Sequence, residues 1–204
     1  MDKIITISRE YGAGGHSIGQ QVAKELGIPF YDRDILKATV QTSGFDPDMV
    51  EHDQEDVSST NFFFKSICSF ADASFSDTQD AIHDVQKAVI LHFAKEGPCV
   101  ILGRCGDYVL RESKDVLRVF VYAPKEWRLE YAKTNPLVKA KDEKGIKDEV
   151  EKTDRNRSAY YNYYTQNRWG DAHNYDLAIN AALGRETCVK MILDAAAAKE
   201  KNLG

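Results

Sequence analysis

The chain is short of cysteine, of proline, of long apolar runs and of positive charge, and each shortage closes off a class of function. Its four cysteines, Cys68, Cys99, Cys105 and Cys188, lie far apart with no C-x-x-C pair. That argues against a disulfide framework or a thiolate zinc site, and for reduced thiols in a cytoplasmic protein. The five histidines show no metal-ligand spacing either. A net charge of -5 denies the protein an overall electrostatic grip on nucleic acid, so any anion site must be local. No apolar run approaches the roughly 20 residues that span a bilayer, and the N-terminus enters a strand without a basic-then-apolar leader. Neither a membrane nor an export signal is expected. With only five prolines there is no Pro-rich linker, and no internal repeat is visible. What remains is 204 residues, 43% hydrophobic and 29% charged, the profile of one globular domain with a buried core.

Strand and helix signals alternate along it. A β-branched run over 3–8 is followed by an amphipathic helix over 16–26, stopped by Gly27-Ile28-Pro29. A short strand at 30–31 leads to a helix through Thr42 that Asp32 or Asp34 would cap. The acidic stretch "FDPDMVEHDQED" reads as a surface excursion, and helical patterns follow over 61–73 and 77–95. The second of these opens with the capping-box sequence "SDTQ". Runs at 99–102 and 116–122 are almost wholly apolar, as strands covered on both faces should be. Pro124 starts a helix where its missing N–H is harmless. A charged, tyrosine-rich helix covers 146–164, a last strand lies at 177–180, and a closing helix spans 186–199. This β-α-β-α order predicts a parallel sheet with helices on both faces. Ligands in such sheets sit at the carboxyl ends of the strands. The glycine turn, "YDRD", "LGRCGD" and "APKEW" all fall just after expected strands, so four polar motifs converge on one sheet edge.

The turn "SREYGAGGHS" contains the parts of a phosphate cradle but no lysine. Gly12, Ala13, Gly14, Gly15, His16 and Ser17 can turn successive amides inward, and the following helix adds its free N–H groups and positive dipole end. The pattern G-x-x-x-x-G-K-[ST] fits in neither register. Aligned on Ser17, it places His16 where lysine belongs and Glu10 where the first glycine belongs. A plain strand-to-helix turn is the competing reading. A cation for the phosphates must then come from elsewhere, from Arg9, His16, Arg104, Arg155, Arg157 or Arg168. Each has an ordinary alternative: His16 as a helix N-terminal residue, Arg104 as a strand-end surface residue, Arg155 as the i, i+4 partner of Glu151. Asp32 either caps a helix or acts on a substrate. The tyrosines at 160, 161, 163 and 164 point to different helix faces and are expected to pack rather than to stack on one ligand.

Taken together, "SREYGAGG" at Ser8–Gly15, "GRCG" at Gly103–Gly106 and "YYNYYT…WG…NYDL" across Tyr160–Leu177 resemble the cytidylate kinase-like family of P-loop proteins over nearly the full length. The resemblance implies an α/β fold with a P-loop NTPase-like parallel sheet of about five strands. It also implies a helical acceptor-side region over roughly 33–96 and a lid over roughly 135–170, all in one domain. By the same resemblance the chain is an ATP-dependent kinase of a small nucleoside monophosphate-type acceptor, CMP by default. Arg104, Arg33 and Asp34 would then face the acceptor, with Arg155, Arg157 and Asp32 as catalytic groups, Arg155 being the closer match to the lid arginine. Mg²⁺ is expected with the ATP, but its ligands are not identifiable. Leu102 and Gly103 stand where an acid usually ends the third strand, and Asp107 is the nearest substitute. A non-catalytic anion sensor and a kinase of an unrelated small molecule are the other two readings. The partner in any case is a small molecule.

Overall fold

The computed structural model describes residues 3–32, 35, 37–38, 75–135, 138, 140 and 142–201. Strand β1, Ile4–Arg9, is buried from Ile4 to Ser8 because helices cover both of its faces. After the glycine turn, helix α1 (Gly15–Leu26) buries Ile18, Val22 and Ala23 along one stripe and is closed by Gly27 at φ 65°. Strand β2 is Phe30–Tyr31. Helix α2, Phe75–Glu96, leads into β3, Val100–Leu102. A short helix α3, Gly106–Val109, was not foreseen in the sequence. Strand β4 is Val116–Tyr122, and Pro124 is the N-cap of α4, Lys125–Thr134. Helix α5 runs unbroken over Glu143–Thr165, β5 is Leu177–Asn180, and α6 is Arg185–Lys201.

The five strands lie in the order β2-β3-β1-β4-β5, and all are parallel. One face of the sheet, with Ile5, Ile7, Val119 and Val121, packs on Ile18 and Val22 of α1 and Ile192 of α6. The other, with Ile4, Ile101 and Val116, packs on Val89 and Ile90 of α2 and on Val109 and Leu110. Residues two apart along β1 serve opposite layers from those between them, as strand pleating requires. The α/β expectation therefore holds, strand by strand. Helix α2 begins at Phe75, one residue before the "SDTQ" sequence. The helix expected over 61–73 and the acidic stretch lie outside the described residues.

Candidate phosphate and acceptor site

The carboxyl end of β1 opens into a turn built on two left-handed glycines, Gly12 at φ 78° and Gly14 at φ 73°. Gly14 is the N-cap of α1, and its carbonyl accepts the first helical hydrogen bond, from Ile18 N at 3.0 Å. The amides of Gly15, His16 and Ser17 precede that bond and meet no acceptor among the described residues. The turn is held from behind by two later helices. Arg128 of α4 donates to Tyr11 O at 3.0 Å and to Ala123 O at 3.2 Å, and pairs with Glu10 at 3.3 Å and with Asp154 of α5. Asp154 also accepts from Tyr11 N at 2.7 Å, and the Tyr11 hydroxyl donates to Glu149. A side chain at Gly12 would stand 2.9 Å from the Arg128 carbonyl, so this seat fits glycine alone. Burial pushes the Glu10 carboxyl up, against the pull of the Ala123 amide and Arg128.

In front of the turn, three strand ends bring charged side chains together. His16 Nδ1 lies 2.9 Å from Asp32 Oδ2, and the imidazole stands nearly perpendicular to the Phe30 ring with centroids 5.2 Å apart. Burial alone would raise the Asp32 carboxyl. The hydrogen bond to His16 and the charges of Arg9 and Arg104 outweigh it and hold it below the usual carboxylate range. Arg104 follows β3 and is 8% exposed. It sits in three consecutive left-handed residues, Gly103, Arg104 and Cys105, at φ 73°, 57° and 53°. A non-glycine residue in that region costs on the order of 1 kcal/mol or more, and such strain concentrates where a side chain must be aimed. Arg157 of α5 reaches the same edge, donating to Arg9 O at 3.0 Å with its guanidinium 5.5 Å from the Tyr11 ring centroid.

Arg155 does not join them. It is 69% exposed and pairs with Glu151 at 3.8 Å on the outer face of α5. Two positions on a continuous helix are about 200° apart, so only one of the two arginines can face the sheet edge. Arg168 is exposed as well. Arg33 and Asp34 lie outside the described residues. The tyrosines divide as their helix positions require: Tyr160 and Tyr161 are buried, while Tyr163 is 59% exposed.

A cleft of about 540 Å³ adjoins the turn on its other side, lined by Gly14, Ser17, Trp127, Tyr131, Leu183 and Arg185 among others. Trp127 and Tyr131 stack at 5.2 Å with their planes 8° apart. Leu183, 57% exposed at the end of the 3-10 turn Ala181–Leu183, adds an apolar side chain to the lining. Sequence reasoning missed this cleft, although the i, i+4 aromatic pair formed by the Trp127 of "APKEW" and Tyr131 was a signal for it.

A protein-held Mg²⁺ finds little here. Asp107 is 4% exposed, burial pushes its carboxyl up, and Tyr161 donates to it at 2.6 Å. It is a packing group between α3 and α5, which removes it as a substitute metal ligand. Leu102 is buried at the strand end, Asp32 is committed to His16, and no cluster of three ligating side chains exists among the described residues. Among the described residues no helix is long and apolar enough to cross a membrane.

A sequence model of the cytidylate kinase-like family matches residues 4–182. No curated protein matches the chain. Among solved structures, an uncharacterized protein from Eubacterium ventriosum ATCC 27560 is 24% identical with a TM-score of 0.69, over 96% of this chain and 98% of that one. A gluconokinase from Sinorhizobium meliloti 1021 is 15% identical with a TM-score of 0.58, over 99% and 95%. Shikimate kinase from Bacteroides thetaiotaomicron is 13% identical with a TM-score of 0.56, over 95% and 98%. The fold is thus the one these kinases share.

Proposed function

The chain belongs to the cytidylate kinase-like family, and from that membership we propose that it is a cytoplasmic kinase passing the terminal phosphoryl group of MgATP to a small nucleoside monophosphate-type acceptor. The observation that carries this reading is the meeting of Arg9, His16, Asp32 and Arg104 at three strand ends, directly before the amides of Gly15–Ser17, which meet no acceptor among the described residues. The chain works as one domain, with roughly 33–96 on the acceptor side and roughly 135–170 as the lid. The base of ATP lies between Trp127–Tyr131 and Leu183, and its phosphates run over the amides of Gly12–Ser17. Arg104, aimed by its strained turn, offers a guanidinium fork to the acceptor phosphate. Arg33 and Asp34 complete the acceptor side. Arg157 supplies charge to the transferred group from α5. The chain makes no covalent intermediate in this scheme: positioning and charge do the work, as they do in phosphoryl transfer generally. CMP is the first acceptor to try, on the family's name.

The commitment of both nearby acids, Asp32 to His16 and Asp107 to Tyr161, favours one competing reading, an anion sensor that binds nucleotide without turnover. ADP release measured over a panel of nucleoside monophosphates, with and without Mg²⁺, separates the two. A kinase gives Mg²⁺-dependent ADP with at least one acceptor well above the rate without acceptor, and CMP is expected to lead. Nucleotide binding with no ADP from any acceptor would replace the kinase by the sensor.

A further inference from the structure

We propose that Tyr161 and Asp107 are positioning residues, whose buried hydrogen bond holds Arg157 of α5 in register with Arg104 for phosphoryl transfer. The inference rests on the kinase reading above and deepens it. The Tyr161 hydroxyl donates to Asp107 Oδ2 at 2.6 Å, and the two residues are 3% and 4% exposed. Tyr161 lies four residues after Arg157 on the unbroken helix α5. Residues so spaced project from one helix face, about 6 Å apart along the axis. Asp107 lies three residues after Arg104, with only Cys105 and Gly106 between them. One buried hydrogen bond thus joins the element that carries one arginine to the element that carries the other.

Two further contacts stiffen that joint. Cys105, the last of the three left-handed residues at φ 53°, is 4% exposed and packs with Tyr160 and Tyr161. Strained backbone persists only where its surroundings over-determine it, and α5 is part of those surroundings here. Arg157 in turn is anchored on β1, donating to Arg9 O at 3.0 Å. Helix α5 is therefore held at two points of one face, on β1 by Arg157 and on α3 by Tyr161. Two such points resist rolling of the helix about its own axis, which one point would permit. The Asp107 carboxyl, pushed up by burial, also draws on its own amide and that of Tyr108. Those bonds are local to α3, whereas the phenol's bond crosses between the elements. Both side chains are buried beneath the site, so their effect on transfer passes through the arginines. Charge from Arg157 helps only where the transferred group becomes most negative, and that makes its placement decisive.

The test is a double-mutant cycle in steady-state kinetics: wild type, Tyr161→Phe, Arg157→Ala and the double variant, with the acceptor that yields most ADP. Tyr161→Phe keeps the ring and its packing and removes the bond between the elements. It is expected to lower kcat between about 10-fold and 100-fold, as small misplacements of a reacting group do, with KM for ATP within about twofold of wild type. In the Arg157→Ala background the same change should cost less than about threefold, because the group it positions is gone. A purely structural role would not produce that collapse. A comparable kcat loss in both backgrounds, an unchanged kcat in Tyr161→Phe, or a loss confined to KM for ATP would each overturn the positioning role while leaving the kinase intact. Folded wild type that yields no ADP with any acceptor would instead overturn the kinase reading, and the positioning role with it. If Tyr161→Phe is not folded by circular dichroism, Tyr161→Met, which also lacks the hydroxyl, takes its place in the cycle.

Discussion

At the scale of single residues, the site is an argument about which way each guanidinium points. Arg104 was singled out in the sequence because it directly follows a strand and a glycine, and the left-handed φ of 73° at Gly103 adds a physical reason for that glycine. Arg155 and Arg157 were both expected as lid arginines, but which of them faces the sheet edge was not legible. Sequence order favoured Arg155, whereas the helix face that carries it also carries Glu151, and the pair turns outward. Arg157, on the opposite face, reaches Arg9 O. Steady-state kinetics should therefore be asymmetric. Arg157→Ala is expected to lower kcat by about 10³-fold, as arginine fingers do, with a much smaller change in KM for ATP. Arg155→Ala removes an exposed, solvent-screened pair and should leave kcat within a few-fold of wild type. A severe Arg155→Ala with a mild Arg157→Ala would reverse the assignment.

At the scale of elements, the glycine turn is legible from its own residues, but what holds it is not. Gly12 and Gly14 announce left-handed backbone locally, and strand periodicity announces β1 before them. The clamp of Glu10, Arg128 and Asp154 joins residues of three separate elements, and nothing in a local pattern marks Arg128 as other than a surface charge. The same limit hid the cleft, whose walls at Trp127 and Leu183 are brought together only by the β4–β5 pairing. It also hid the His16–Asp32 pair, which depends on where β2 ends beside α1. Arg128 is 8% exposed and faces two partly buried carboxylates. Arg128→Ala would leave Glu10 and Asp154 facing each other without a cation, a loss of about 3 kcal/mol by analogy with other broken buried pairs. Urea denaturation at pH 7 should show it. The deficit should shrink as pH falls. The Glu10 carboxyl is already raised, so its contribution favours the fold at pH below its unfolded value and is lost as pH rises through its folded value. A deficit under about 0.5 kcal/mol, or one that grows on acidification, would contradict the clamp.

At the scale of the whole molecule, the alternation of strands and helices sufficed for the parallel sheet, because each buried strand is a short apolar run and each helix has a cap or a stop of its own. The strand order β2-β3-β1-β4-β5 places β1 centrally, so the turn that follows it has β3 on one side and β4 on the other. On the proposed reading, acceptor-side groups come from the β2–β3 half and the base cleft from the β4–β5 half, with the amides of Gly15–Ser17, which meet no acceptor among the described residues, between them. The central claim is that a loop without lysine still cradles phosphate at this junction. ADP titrated calorimetrically into wild type and Gly14→Val, at one pH near 6.5, tests it most directly. A valine at a φ of 73° is strained and brings a branched side chain to the wall of the cleft beside Tyr131. The account predicts saturable one-site binding in wild type and none measurable in Gly14→Val, with the variant still folded by circular dichroism. Equal ADP affinity in the two folded proteins would contradict it.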